Sequence, residues 1–152
     1  MGNTPKPAVI LMADDDEDDI LLARDAFERG KIINDFRTVE SGEELLDYLK
    51  REGAYSAPAS APRPDIILLD LNMPGIDGRE ALKEIKADPE LRCIQIVVFT
   101  TSESQKDIRD TYCNGASSYI TKPVTFEAMC ELVHKLGEYW FQIVRLPNDS
   151  DC

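Results

Sequence analysis

Histidine is almost missing from this chain: His134 is the only one. It falls in the last helical stretch, away from the polar strand ends described below, and is expected to be a plain helix-face residue. Long apolar runs are missing too. None approaches the roughly 20 residues that a membrane-spanning helix needs. Basic residues are scarce, with 17 Lys and Arg against 29 Asp and Glu and a net charge of −12. That balance argues against a nucleic-acid surface, which requires clustered cations to neutralise phosphates. The four cysteines, Cys93, Cys113, Cys130 and Cys152, stand too far apart for a CxxC zinc or redox site. They are expected to be reduced thiols that mostly pack. The opening MGNTPKPAV has no apolar signal core, and no Ser or Thr where a myristoylation site would need one. A cytosolic protein is expected.

What is present is a globular composition, 43% hydrophobic and 30% charged over 152 residues. Two hydrophobic periods alternate along it. Strands are expected at 9–13, 36–39, 66–69, 94–99 and 117–121, and helices at 16–29, 41–49, 79–88, 105–114 and 126–140. Ser41 and Glu44 have the spacing of a capping box. The stretch AYSAPASAPRP at 54–64 reads as an extended connecting loop, an insertion without a core of its own. The expected layout is a tail at 1–8, one domain at 9–140, and an apolar extension at 141–152 containing Trp140's neighbours Phe141, Ile143, Val144 and Leu146. No room is expected after residue 140 for a DNA-binding or enzymatic output domain. Five strands alternating with five helices predict an α/β, doubly wound, flavodoxin-like parallel sheet. In such sheets ligands bind beyond the carboxyl ends of the strands.

Polar residues stand at those ends. The stretch DIILLDLNMPGIDG places Asp70 after the apolar run Ile66 to Leu69. The first strand ends in Asp14 and Asp15, the fourth in Thr100 and Thr101, and the fifth runs into Lys122 and Pro123. Crowded carboxylates raise one another's pKa unless a cation intervenes. Three aspartates at one edge therefore suggest a hard divalent metal, with oxygen ligands pointing to Mg2+ and Mn2+ or Ca2+ able to substitute in vitro. Carboxylates, such a metal, a lysine and a hydroxyl together suit phosphoryl transfer, with Asp70 displayed as the nucleophile. Most of Asp16 to Asp19 are expected to form a solvated first helical turn, though Asp16 could reach the site. Thr101 is expected to have a packing or rim role.

The pieces ADDDEDD, LLDLNMPGIDG, VVFTTS and SSYITKP, in this order, resemble the receiver domain of two-component response regulators. The resemblance implies that Asp70 accepts a phosphoryl group from a histidine of a partner kinase. Asp14 and Asp15 would hold Mg2+ with Asp70 and the backbone carbonyl of Asn72. Thr100 and Lys122 would bind the phosphoryl oxygens, and the Lys122–Pro123 peptide would be cis. Thr100 and Tyr119 would form the switch, Tyr119 turning inwards as Thr100 moves. Asn72 and Ser102 would flank the site where water enters. The tail YWFQIVRLP and the loop before the third strand are similar to single-domain regulators paired with cyanobacterial phytochromes. This implies a bacterial phytochrome as the kinase, and a two-fold homodimer through the tail and the fourth-helix to fifth-helix face is expected. With one isolated histidine, the chain is expected to receive phosphate and not to originate it. Two other classes compete. A haloacid-dehalogenase-like phosphatase would want a second acid where Asn72 stands. A pure interaction module would not need Asp70, Thr100 and Lys122 together.

Overall fold

The computed structural model describes residues 7–30, 33–143 and 146. Five strands form one parallel sheet, β1 (Ala8–Ala13), β2 (Asn34–Val39), β3 (Ile66–Leu69), β4 (Gln95–Thr100) and β5 (Ser118–Thr121), in the order β2-β1-β3-β4-β5. Helices α1 (Glu17–Arg29), α2 (Gly42–Lys50), α3 (Gly78–Ala87), α4 (Gln105–Cys113) and α5 (Phe126–Gly137) connect them. This is the doubly wound flavodoxin-like architecture that the alternating periods predict.

The side-chain alternation of β1 divides the core. Ile10 and Met12 face the layer built by α1 and α5, with Ala23, Phe27, Met129 and Val133. Leu11 and Ala13 face the opposite layer, where α2 and α3 contribute Leu45, Leu82 and Ile85. All four residues of β3 are buried. A central parallel strand has both faces covered, which explains why it reads as an unbroken apolar run. Each such side chain contributes about 1.5–3 kcal/mol by leaving water. Against these anchors α4 is poorly rooted, since Thr111 is the residue it buries.

Several boundaries and details differ from expectation. The connection at 54–64 is not simply extended. It holds two short 3-10 turns, Gly53–Tyr55 and Pro58–Ser60, and buries Ala61 completely enough to join the core. The Tyr48 hydroxyl donates to the Pro62 carbonyl at 2.8 Å, Arg51 Nε to the Ala61 carbonyl at 3.2 Å, and Arg37 Nη1 to the Ser60 carbonyl at 3.2 Å. Carbonyls without a partner in their own segment are thus satisfied from the strands and helices around it. The last helix ends at Gly137 and widens into a π-helical turn at Glu138–Ile143. The expected Lys122–Pro123 cis bond is trans, as is every peptide among the described residues. Trans is favoured before proline by about 0.5–1 kcal/mol.

The expectation of four free thiols also fails, because Cys93 is disulfide-bonded while Cys113 and Cys130 are free. Spacing along the chain limits only local motifs. A bridge depends on which cysteines the fold brings together. Most of the tail expected at 1–8 and most of the extension at 141–152 lie outside the described residues. His134 is half-exposed on α5, with Nε2 2.9 Å from Glu138 Oε1 one turn on.

Candidate functional site at the carboxyl edge of the sheet

Three backbone hydrogen bonds carry the sheet one residue past its strands. The Asp14 amide donates to the Val39 carbonyl at 3.0 Å, Asp70 to Ala13 at 3.0 Å, and Lys122 to Thr100 at 2.8 Å. The three polar side chains are therefore fixed by the ladder itself. They are buried together with Thr100 at one edge. The loop after β3 passes close beside them. Gly78 lies against the Asp70 carbonyl, where a Cβ would collide with it. Gly75, at φ +70°, needs the left-handed conformation that glycine adopts without cost.

Asp70 is held by both oxygens. Its Oδ1 accepts from the Thr100 hydroxyl at 2.8 Å and from the Asn72 amide at 3.2 Å, while Oδ2 accepts from Lys122 Nζ at 3.1 Å. Lys122 Nζ also lies 2.6 Å from Asp14 Oδ2 and 2.7 Å from Asp19 Oδ2. Burial works against the lysine's charge, but the hydrogen bonds to Asp14 and Asp19 and the Coulombic pull of Asp14 and Asp70 outweigh it, so its pKa is raised. Asp14 is pushed the other way from an ordinary carboxylate, up to about 6. Burial is the main cause, opposed by Lys122 and by the Asp16 amide, which donates to Oδ1 at 2.9 Å.

These groups stand close enough to share a cation. One carboxylate oxygen each from Asp14, Asp15 and Asp70 lie within 4.8 Å of one another. Asp14 Oδ2 is paired with the ammonium by distance but not by hydrogen-bond alignment. Among the described residues it is the buried side-chain oxygen without such a partner. Two buried carboxylates beside an exposed third, with spare acceptor capacity on Asp14, fit a hard divalent ion that keeps some of its water.

The expected site residues Asp14, Asp15, Asp70, Thr100 and Lys122 thus converge. Asp16 does not join them. It caps α1, its side chain accepting from the amides of Asp18 and Asp19. Asp19, expected to be solvated, is the acid that reaches Lys122. It lies four residues before Ala23 and seven before Ala26, both buried, so helical spacing continues the inward stripe to Asp19. That signal was present in the sequence. Tyr119 stands off the pocket, and its hydroxyl donates to the Ser102 carbonyl at 2.8 Å. Ser102 in turn donates to Asp107 Oδ2 at 2.7 Å, and Arg79 binds Asp107 through Nε and Nη2 at 2.8 and 2.7 Å. Thr101 is exposed on the rim.

Comparison with known proteins agrees with this geometry. Residues 10–134 match the response regulator receiver domain. The chain is 39% identical over 145 residues to the probable methanogenesis regulatory protein FilR2 of Methanothrix harundinacea, covering 95% of this chain and 90% of that one. It is 34% identical to the response regulator Rcp1 of Synechocystis, over 93% of this chain and 94% of that one. Its structure superposes on the phosphorylated cyanobacterial phytochrome response regulator RcpA with a TM-score of 0.88 at 38% identity, covering 94% and 100% of the two chains. The Mn2+-bound form of Rcp1 gives a TM-score of 0.86 at 34% identity, covering 93% and 100%. Buried aspartates, a hydroxyl and a lysine at the ends of a β2-β1-β3-β4-β5 sheet thus coincide with a match along most of the sequence, and the chain belongs to the response regulator receiver domains, signalling proteins of two-component systems.

Proposed function

We propose that Asp70 is the phosphoacceptor of this receiver, taking the phosphoryl group from a histidine of a partner kinase in the cytosol. The observation that carries this is the three-way restraint on the Asp70 carboxylate by Thr100, Asn72 and Lys122. An Asp70 oxygen attacks phosphorus, the bond from phosphorus to the donor nitrogen breaks, and the electron pair leaves with the imidazole. The product is an acyl phosphate whose hydrolysis returns the carboxylate. Lys122 and Thr100 donate to the phosphoryl oxygens, where charge is greatest in such transfers. Asp14, Asp15, Asp70 and the Asn72 carbonyl would hold Mg2+. When bound, that ion neutralises charge on the carboxylates and the transferred group.

Thr100 and Tyr119 serve as the switch in this reading. Supporting it, the segment Thr100 to Ser102 links the hydroxyl that contacts Asp70 to the carbonyl that receives the Tyr119 hydroxyl. A charge added at Asp70 can therefore bias the β4–α4 segment. The likeness to phytochrome regulators supports a phytochrome-type histidine kinase as partner. An open apolar groove of about 310 Å3 between β5, α5 and the π turn, lined by Ile120, Leu132, Leu136, Tyr139 and Trp140, supports a homodimer through this face.

Intact-mass analysis after incubation with a small acyl phosphate and Mg2+ tests the acceptor. One added phosphoryl group is expected in the wild type and none in Asp70→Asn. A wild type that stays unmodified across donors would favour the interaction-module reading. The kinase assignment fails if purified phytochrome kinases phosphorylate Asp70 no faster than unrelated histidine kinases.

A further inference from the structure

Asp19 has no part in the metal and phosphoryl sites described so far, yet it makes the shorter of the two aligned hydrogen bonds of Lys122. Nζ donates to Asp19 Oδ2 at 2.7 Å and to Asp70 Oδ2 at 3.1 Å. We propose that Asp19 is a positioning residue that holds the Lys122 ammonium on the α1 side of the pocket and so sets how readily Lys122 engages a phosphoryl group on Asp70. The inference rests on the assignment of Lys122 to the phosphoryl oxygens.

Asp19 is suited to act as a fixed anchor. Its backbone amide is tied to the cap residue Asp16 at 3.2 Å, and the next turns of α1 are seated in the core through Ile20, Ala23 and Ala26. Its carboxylate remains partly exposed, 23% against 4% for the lysine side chain, so the pair is partly solvated and exchangeable. Phosphorylation of Asp70 turns one carboxylate oxygen into the bridging oxygen of an acyl phosphate, a weaker acceptor, and places three phosphoryl oxygens farther from the strand end. An ammonium has only three protons to give. Each one held by Asp19 or lying against Asp14 is withheld from the phosphoryl group. Asp19 thus competes with the incoming group for the same cation, and it does so from the capped first turn of a helix seated in the core.

Fluoroberyllate with Mg2+ serves as a stable phosphoryl mimic, its binding followed by amide NMR on the full chain. Asp19→Asn keeps the side-chain shape but weakens the hold on Lys122, and should tighten fluoroberyllate binding about three- to tenfold, the scale of coupling between contacting groups. Asp18→Asn removes an equal charge one residue away on the exposed side and should change binding less than twofold. In a Lys122→Met background Asp19→Asn should have no effect. Equal effects of the Asp18 and Asp19 variants, an effect that survives loss of Lys122, or weaker binding by Asp19→Asn would overturn the proposal. Should Lys122→Met not fold, the 15N resonance of the Lys122 ammonium takes its place: it must move between wild type and Asp19→Asn, and an unchanged resonance refutes the contact. Asp70→Asn separates the two readings, because fluoroberyllate binding retained in that variant defeats the acceptor assignment itself, whatever Asp19 does.

Discussion

Asp14 shows how a residue proposed to bind the metal can weaken the fold that carries it. Its carboxyl is almost fully buried and pushed up to about 6, mainly by burial, although Lys122 lies beside it. A folded-state value above the unfolded one means that the folded protein binds the proton more tightly. The ionised group therefore weakens the metal-free fold above pH 6, and the penalty is relieved as pH falls from about 6 towards 3.8. Asp14→Asn is expected to stabilise the protein in chelator at pH 7 by on the order of 1–2 kcal/mol, read as a raised urea midpoint. If Asp14 holds Mg2+ as proposed, added Mg2+ should stabilise the wild type and do so much less in this variant. A lowered midpoint in chelator would show that the contact with Lys122 outweighs burial.

Among the elements, α4 depends most on a single polar clasp. It buries little besides Thr111, and Arg79 at the start of α3 grips Asp107 in a bidentate pair that also takes the Ser102 hydroxyl. The hydrogen bond from Arg79 is the main reason that the Asp107 carboxyl is lowered to about 2, burial opposing it and Ser102 adding to it. Here the sign is reversed. The contribution is complete above the ordinary carboxylate value of 3.8 and is lost as pH falls through about 2. Since the arginine is 37% exposed, solvent screening limits the pair, and Asp107→Asn is expected to cost about 1 kcal/mol at pH 7. Urea titrations should show the gap to wild type closing between pH 4 and pH 2. Hydrogen exchange should meanwhile speed up in α4 more than in α3, whose Ala81, Leu82 and Ile85 are buried.

Over the whole molecule, two core layers share one sheet, and the C-terminal aromatics divide between core and surface. Trp140 is buried with Met129 and Val133, whereas Tyr139, its edge-on neighbour at 5.3 Å, is half-exposed. Trp140→Ala should cost about 3–5 kcal/mol through the cavity it leaves. Tyr139→Ser should stay within about 1 kcal/mol of wild type. If this face joins two copies, light scattering should show Tyr139→Ser shifting the protein towards monomer without loss of fold. An unchanged mass would move the dimer contact elsewhere.

The sequence by itself determined where the chemistry sits along the chain: the apolar runs of the central strands, the polar residue that follows β1, β3 and β5 or closes β4, and the cap that Ser41 places on α2, its hydroxyl accepting from the Glu44 amide at 3.1 Å. These follow from periodicity and from bonds between residues near in the chain. Glu44 itself reaches back to the amide of Glu40 at 2.7 Å, one residue earlier than the capping-box spacing indicates. What the tertiary structure decided involves partners far apart in sequence. It brought Asp19 to Lys122, clasped Arg79 to Asp107, bound the 54–64 connection to its neighbours and bridged Cys93. Helical spacing marks Asp19 as the inward acid of its turn, but only the packing of α1 against the sheet brings it within 2.7 Å of the buried ammonium, beside Asp14 and Asp70.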